Sequence, residues 1–340
     1  MRFVSVANMR AWIRGTGPER IITDLVDDLD VDFRRWTAFE REPRIASHSP
    51  GGVIELMPTS DGISYGFKYV NGHPSNPSRG FQTVTAFGVL ADVTTGYPTF
   101  LSEMTILTAL RTAAVSGLAA RHLSREESAV MGMIGAGSQA VFQALAVRSQ
   151  RPGVARLRLF DVDPAAAETA SRHLRSLGFN VIIEASAADA VRDADIITTC
   201  TADKTNATVL RVDEVPPGAH INAIGGDCPG KTELDVEIVR RNRVFVEHEP
   251  QTRIEGEIQK LPADFPVTEL WRVITGADAG RASADDVTVF DSVGFAIEDF
   301  TALRYMQRAT AARFSEPIDL IVEPDDPKDL FGMIGAPVLV

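Results

Sequence analysis

The stretch that most constrains the fold of this chain is MGMIGAGSQA, at residues 131–140. It joins an apolar, strand-like run at 129–134 to a helical pattern at 138–150 through Gly135 and Gly137. Such a turn suits a phosphate, because the first glycine permits tight turning and the second leaves room for a pyrophosphate beside the backbone. We expect the helix to begin at Ser138 and to direct its free N–H groups at that anion.

A second strand-like run, at 157–160, ends in Asp161, which lies 26 residues after Gly135. An acidic side chain there can accept hydrogen bonds from the hydroxyls of an adenosine ribose, and it repels a 2′-phosphate. Ala140 takes the third small position of the pattern, where helix and strand pack closely. The sequence therefore predicts NAD rather than NADP, although two glycines also occur in strand-to-helix turns that bind nothing.

The length of 340 residues favours two domains over one hydrophobic core. Hydrophobic residues make up 44% of the chain and charged residues 24%, as in an ordinary globular protein. The net charge of -12 disfavours nucleic acids and anionic membranes as partners. An anionic substrate must therefore meet a local cluster of cations.

Signals for metal binding are weak in this sequence. Cys200 and Cys228 lack metal-ligand spacing, and the six histidines form no HxxxH or HxH pair, so we expect no metal site. We see no N-terminal apolar signal region and no apolar run near the length of a bilayer crossing. Free thiols in a reducing cytoplasm are therefore the expectation.

The N-terminal third of the chain predicts an α+β domain. Apolar residues at helical spacing predict an amphipathic helix at 18–36, and a helical period returns at 101–123. Between them, runs with period two at 53–57, 64–70 and 84–89 predict a mainly antiparallel sheet. We place the boundary near Arg121, so that residues 1–120 and 315–340 form a substrate-binding domain, with the acidic tail packed irregularly upon it.

Residues 121–314 alternate strand-like and helical patterns. Alternation of this kind predicts a Rossmann-type doubly wound parallel sheet, connected by right-handed crossovers. A long helical pattern at 294–310 then offers a way back to the first domain. The strand-like runs of this domain lie at 129–134, 157–160, 181–184, 196–199, 220–224, 244–246 and 287–290.

Several charged side chains lie among apolar neighbours. Lys68 is inside YGFKYV, and Arg111 has Leu107 and Val115 one helical turn on either side. Arg44 in PRIASH and Glu55 in VIELM have the same character. A buried charge must be paired, so these residues either form internal salt bridges or build a pocket for a carboxylate, with Glu55 left for an ammonium group.

Asp227 follows the apolar strand-like run of HINAIGGDCPGKTEL. Gly225 and Gly226 are expected to allow a flat ring to approach, and Asp227 then emerges at the carboxyl end of a strand, where ligands bind in open α/β sheets. A partly desolvated carboxylate beside a nicotinamide is a candidate proton acceptor. The alternative is an aspartate that only caps the following turn.

With these residues in view, nearly the whole chain resembles the ornithine cyclodeaminase and mu-crystallin family, and within it the bacterial ornithine cyclodeaminases. The GGDCPGKTEL block is more specific than any glycine pattern. Other blocks that carry the resemblance are RIASHSPGGVIELMP, FKYVNGHPSNP, TVTAFGVLADVTTGYP, LTALRTAA, IGAGSQAVFQALA, VEHEPQTRIEGEIQ and VTVFDSVGFAIEDF.

The resemblance implies a role for each matching residue. It assigns the substrate carboxylate to Arg44, Lys68 and Arg111, the distal amine to Glu55, and acid/base catalysis to Asp227, with Val293 lining the substrate pocket. It also implies a homodimer built through the non-nucleotide domain. Positions that match NAD contacts are Thr83, Arg111, Thr112, Gly135, Gly137, Ser138, Gln139, Asp161, Thr201, Ile224, Gly225, Gly226, Asp227, Lys231 and Ser292.

The implied reaction converts L-ornithine to L-proline and ammonia with catalytic NAD, through internal hydride transfer and a cyclic imine. A lysine cyclodeaminase or an NAD(P)-dependent ketimine reductase on the same fold remains an alternative, since one methylene is worth only about 1 to 3 kcal/mol of discrimination. A non-catalytic dinucleotide-binding protein is a further alternative. The intact set Lys68, Arg111 and Asp227 argues against it.

Overall fold

The computed structural model of the chain describes residues 1–201 and 207–335. Its strands, in chain order, are β1 (Arg2–Val4), β2 (Ile45–Ser49), β3 (Gly52–Ser60), β4 (Ser64–Gly72), β5 (Val84–Asp92), β6 (Pro98–Glu103), β7 (Val130–Ile134), β8 (Arg156–Phe160), β9 (Asn180–Ile183), β10 (Ile196–Thr199), β11 (His220–Ala223), β12 (Arg243–Val246), β13 (Thr268–Glu269), β14 (Thr288–Asp291) and β15 (Glu316–Pro317). Its α-helices are α1 (Val6–Thr16), α2 (Pro18–Arg34), α3 (Thr105–Leu123), α4 (Ala140–Gln150), α5 (Pro164–Ser176), α6 (Ala187–Val191), α7 (Val236–Arg241), α8 (Glu249–Glu255), α9 (Leu270–Ile274) and α10 (Ala296–Thr310).

The strands form two sheets. The first has the order β15-β1-β6-β5-β4-β3-β2, and its neighbours from β2 to β6 pair antiparallel. The second has the order β13-β12-β14-β11-β10-β7-β8-β9, and all of its pairings are parallel. The predicted doubly wound sheet beside an α+β domain is therefore confirmed. The strand order reverses between β7 and β10, which is where such folds bind ligands.

Three predicted helix starts were too early, among them that of α10, which begins at Ala296 rather than at Gly294. Leu101 belongs to β6, because PTFLSE alternates buried and part-exposed residues before Met104 ends the strand, and α3 begins at Thr105. Ser138 lies in a turn, and α4 begins at Ala140, since the chain needs two more residues to leave the glycine turn. The short strands β1, β2, β6, β13 and β15 were not predicted.

Helix α3 lies between the two sheets. It is buried along almost its whole length, and its small residues let it pack closely on α4, since a Cβ at Gly117 would lie 3.1 Å from Ala146 O. It also contacts β5 of the first sheet and β11 and β14 of the second. Because Arg121 lies inside this shared helix, a division of the chain near residue 121 stays a prediction.

The C-terminal part of the chain returns to the first sheet. Helix α10 packs against β3, β4 and β5, and β15 pairs with β1. Ile318 N then donates to Met1 O, but Leu320, Phe331 and Ile334 are 60 to 75% exposed. Residues 319–335 form no strand or α-helix and leave these apolar side chains largely exposed, so the expected packing of the tail on the first domain stays a prediction, and residues 336–340 lie outside the described residues.

Candidate active site

A cavity of about 510 Å³ lies where the carboxyl edge of the parallel sheet faces α3 and the first sheet. Strand alternation selects which side chains of the first sheet reach it. Val53, Glu55 and Met57 on β3 line the cavity, and Lys68 and Val70 do so from the paired strand β4. The cavity has the size of a small-molecule site and is bounded by both sheets.

The glycine turn forms the nucleotide side of the cavity. Gly135 has a φ of 107°, and an added Cβ would lie 2.7 Å from Cys200 O, so only glycine fits there. Gly137 faces open space, with no atom within 4 Å of an added Cβ, and it lines the cavity with Ser138 and Gln139. An unfilled backbone surface beside a strand-to-helix turn fits a pyrophosphate.

Asp161 stands at the carboxyl end of β8, beside this turn. Its Oδ2 accepts a hydrogen bond from Ala136 N at 2.6 Å, and its Oδ1 accepts one from Asp163 N at 2.8 Å. The carboxylate therefore fixes the glycine turn to the end of β8. Each oxygen has a second lone pair, so these bonds leave acceptor capacity for ribose hydroxyls.

Lys68 and Arg111 are both buried, at 1% and 5% exposure, and they share one carboxylate. Asp299 lies with Oδ2 2.8 Å from Lys68 Nζ and with Oδ1 2.8 Å from Arg111 Nε. Arg111 Nη1 also donates to Glu298 Oε2 at 2.6 Å. The internal ion pairs raised as one alternative are therefore confirmed for these two cations, and because both also line the cavity, a pocket for a carboxylate stays a prediction.

Burial changes the proton affinity of this cluster. Burial, followed by the charge of Arg111, lowers the pKa of Lys68 to about 8, against the opposing effect of Asp299. Burial and the nearby carboxyl of Glu247 raise the pKa of Glu298. Burial thus disfavours the charged forms of these side chains, and their pairing with opposite charges offsets part of that cost.

Arg44 reaches the cavity from just before β2, and its guanidinium has four partners. Nη2 donates to Val293 O at 2.9 Å and to Gly294 O at 2.8 Å. Nη1 lies 3.3 Å from Glu55 Oε1, and Nε lies 3.3 Å from Glu255 Oε2. The side chain therefore ties the first sheet to the loop that follows β14.

Asp227 lies in the loop after β11, at the cavity mouth. Its side chain is 58% exposed and lies 3.6 Å from Lys231 Nζ, whose side chain is 5% exposed. The described residues thus bury the Asp227 side chain only in part, and its expected desolvation beside a nicotinamide stays a prediction. Lys231 Nζ also donates to Thr201 O at 3.0 Å, which holds the lysine in place.

The glycines before Asp227 pack against buried carboxylates on the side where a Cβ would lie. A Cβ at Gly225 would collide with the carboxylate of Glu233, and one at Gly226 would lie 2.6 Å from Glu257 Oε1. Glu233 in turn accepts a hydrogen bond from Thr201 N at 3.0 Å. The Cβ directions of both glycines are therefore filled by protein, while Gly225 still lines the cavity, and the approach of a flat ring to these residues stays a prediction.

The geometry can be compared with known proteins at this point. The model of the ornithine cyclodeaminase/mu-crystallin family matches residues 7–312. This chain belongs to that family.

The relatives found include enzymes and solved structures. An ornithine cyclodeaminase of Agrobacterium fabrum is 59% identical over 333 residues, which are 98% of this chain and 94% of that protein. A solved lysine cyclodeaminase, described with recognition of L-lysine, L-ornithine and L-2,4-diaminobutyric acid, has a TM-score of 0.89 at 33% identity, covering 97% of this chain and 98% of that chain. An archaeal alanine dehydrogenase dimer with bound NAD has a TM-score of 0.82 at 29% identity, covering 92% and 97%.

In this member of the cyclodeaminase/mu-crystallin family, the cavity gathers most residues predicted from the sequence. Three predicted residues do not line it: Gly135 lies in the turn behind it, Asp161 beside the turn, and Gly226 against Glu257. Those that line it are Arg44, Glu55, Lys68, Thr83, Arg111, Thr112, Gly137, Ser138, Gln139, Thr201, Ile224, Gly225, Asp227, Lys231, Ser292 and Val293.

The sequence reasoning missed the carboxylates that hold these cations. Glu298 and Asp299 stand in the apolar run GFAIEDF and are 0% and 1% exposed. The criterion that selected Lys68, a charge flanked by apolar residues, applies equally to them. Glu255 carried no such signal, because its burial depends on the packing of a short helix against the loop after β14.

Two further observations concern the family fold as described here. No helix within residues 1–201 and 207–335 is both long and apolar enough to cross a membrane. The same residues contain no cluster of three or more His, Cys, Asp or Glu side chains that could hold a metal ion.

Proposed function

We propose that this chain is an ornithine cyclodeaminase, which converts L-ornithine to L-proline and ammonia with NAD as a catalytic cofactor. One observation carries the proposal. A single cavity brings Lys68 and Arg111, the carboxylates of Glu55 and Asp227, and the glycine turn together. The family match and the 59% identity to an ornithine cyclodeaminase over 98% of this chain support the reaction class.

The glycine turn fits the dinucleotide. Gly137 leaves its backbone open to the cavity, and Ser138 and Gln139 follow it along the same wall. These residues would hold the pyrophosphate, and Asp161 the adenosine ribose. When bound, NAD supplies a reversible hydride acceptor, so no net oxidation accompanies the formation of proline.

Lys68 and Arg111 are the proposed site for the substrate carboxylate. Asp299 forms an ion pair with each cation, and Glu298 accepts a hydrogen bond from Arg111 Nη1. An ammonium has three N–H donors and a guanidinium five, so both cations retain donors for a ligand. Because Asp299 fixes both from behind, the cations are preorganised before the substrate binds.

Glu55 and Asp227 are the proposed sites for the two amines of the substrate. Glu55 lines the cavity from β3, as do Val53 and Met57, which lie two residues before it and two after it. Its carboxylate is placed to pair with the distal ammonium. Asp227 is proposed to accept a proton from an amine, so that the distal nitrogen can attack the α carbon. Lys231 steadies this aspartate at 3.6 Å.

Product analysis tests the proposed reaction. The chain is incubated with NAD and either ornithine or lysine, and products and NADH absorbance are followed together. Proline and ammonia without accumulating NADH are the expected result. Steady NADH formation would identify a dehydrogenase or ketimine reductase, pipecolate from lysine a lysine cyclodeaminase, and NAD binding without turnover a non-catalytic protein.

The outer face of the first sheet supports a homodimer as part of the proposal. Ile45, Leu56, Tyr69 and Phe87 are paired in one row across β2 to β5. Ile45 is 64% exposed, Leu56 40% and Phe87 43%, and the rings of Tyr69 and Phe87 stack with centroids 5.1 Å apart. An apolar row of this kind on a sheet face favours contact with a second copy.

A further inference from the structure

Arg44 stands between two carboxylates that differ in one respect. Glu55 lines the cavity, whereas Glu255 does not, although both side chains lie 3.3 Å from the guanidinium and are 10 to 11% exposed. A ligand in the cavity can therefore replace Glu55 at Arg44. Glu255 is not part of the cavity lining, so such a ligand would leave its pairing with Arg44 in place.

The helix that carries Glu255 is built to hold this region. Gln251 and Glu255 lie one turn apart on α8, so they share a face, and they are 4% and 7% exposed. Gln251 Nε2 donates to Gly294 O at 2.7 Å, the same carbonyl that accepts from Arg44 Nη2. One face of α8 therefore contacts both Arg44 and the backbone to which Arg44 is bound.

We propose that Glu255 is a positioning residue for substrate binding, which retains Arg44 while Glu55 leaves the guanidinium to pair with the distal ammonium of the substrate. The inference rests on the proposed function, because it needs a substrate with a carboxylate and a second ammonium. When such a substrate binds, its carboxylate takes the place of Glu55 at Nη1 of Arg44, and Glu55 pairs with the distal ammonium. Two ion pairs thus replace the one between Arg44 and Glu55. Neither Arg44 nor Glu55 is left unpaired in a nearly buried site.

Without Glu255, Arg44 keeps the carbonyls of Val293 and Gly294 but has Glu55 as its one remaining ion-pair partner, so its guanidinium is less firmly placed when Glu55 moves to the substrate. Substrate would then have to order the guanidinium as it binds, which weakens binding equally in the ground state and the transition state. Such a change raises KM and leaves kcat in place. A role limited to folding would alter neither parameter in the molecules that remain folded.

The test compares Glu255→Ala and Glu255→Gln with a control, Glu249→Ala, on the same helix. Glu249 pairs with Arg253 and its side chain is 43% exposed, away from the cavity. We expect Glu255→Ala to raise KM for ornithine about tenfold or more, because it removes an ion-pair partner from a nearly buried cation, with kcat near the parental value. Glu255→Gln keeps an oxygen near Nε but removes the charge, and should lie between.

A coupling measurement separates positioning from other effects. In an Arg44→Met background, Glu255→Ala should raise KM no further, because it acts only through Arg44. In the single variant Glu255→Ala, an unchanged or lowered KM, or a loss of kcat at parental KM, would overturn the inference. Proline formation by the parent would still leave the proposed function standing. If the parent forms no proline, calorimetry of ornithine with the NAD-loaded protein decides. Weaker binding by Glu255→Ala supports the inference, and no binding by the parent overturns both proposals.

Discussion

Lys68 Nζ lies 2.8 Å from Asp299 Oδ2, and both side chains are only 1% exposed. The pair joins β4 to the first turn of α10, and Asp299 extends it to Arg111 on α3. One carboxylate of α10 therefore pairs with two cations, one from β4 and one from α3. The proposed binding of the substrate carboxylate therefore depends on Asp299, which does not line the cavity.

The substitution Asp299→Asn is expected to lower the free energy of unfolding by about 3 to 5 kcal/mol, because it leaves two buried cations without their shared partner. Urea denaturation measures the change. As a control, Asp278→Asn breaks the exposed pair with Arg272 and should change stability by no more than about 0.5 kcal/mol. Equal effects of the two substitutions would contradict this account.

Asp227→Asn is expected to cut turnover of ornithine about 100-fold or more, as for removal of a general base, while NAD binding stays nearly intact. The exposed Asp264→Asn is the control and should match the parent. Steady-state rates and an NAD titration of each variant measure the effect. Parental turnover by Asp227→Asn would show that the acid/base assignment is wrong.

Two glycine substitutions separate cofactor binding from folding. Gly137→Ala adds a Cβ with no neighbour within 4 Å, so stability should change by less than about 0.5 kcal/mol, while NAD affinity falls as the methyl group meets the pyrophosphate. Gly225→Ala drives a Cβ into the Glu233 carboxylate and should cost about 1 to 3 kcal/mol of stability. Thermal unfolding and NAD titration measure both, and parental NAD affinity in Gly137→Ala would refute the first expectation.

Stability is expected to fall as the pH rises from about 4.5 to about 7 through Glu257. Burial, together with the carboxyl of Glu233, raises the pKa of Glu257 to about 7 from an ordinary value of 4.5. Between pH 4.5 and about 7, the folded state binds a proton on Glu257 that the unfolded state has released. The protonated carboxyl therefore contributes its full stability below pH 4.5, and this contribution is lost as the pH rises through about 7. Glu257→Gln should flatten the slope of unfolding free energy against pH, and the exposed Glu168→Gln should leave it unchanged.

Phe87→Asp is expected to convert the proposed dimer to a monomer, because it places a charge in the apolar row. Light scattering after size-exclusion chromatography measures the mass. The control is Val162→Asp, at a site 89% exposed in the loop after β8, which should leave the mass unchanged. A dimeric Phe87→Asp variant would show that this face is not the interface.

The elements that were predicted correctly are those with a strong local pattern. The strand before Gly135, the helix after it and the period-two runs at Glu55 and Lys68 could be read from their own neighbours. The short strands β1 and β15 could not, because three or fewer residues carry no period and the pairing of Arg2 with Pro317 spans the chain.

The site was predictable only in part. Cations among apolar residues identified Lys68 and Arg111, but their partner Asp299 comes from a helix nearly 190 residues after Arg111, and no local rule links the two. The exposure of Asp227 could not be read from the sequence for a similar reason, since it depends on how far neighbouring loops extend over the end of β11.

Strand β3 presents Glu55 to the cavity and Leu56 to the outer face of the sheet. Successive residues of one strand thus serve the proposed catalytic pocket and the proposed subunit contact. A change that separates the subunits would also loosen strand β3, which forms the side of the cavity proposed to bind the diamino acid. Substrate preference and assembly would then have to evolve together along this strand.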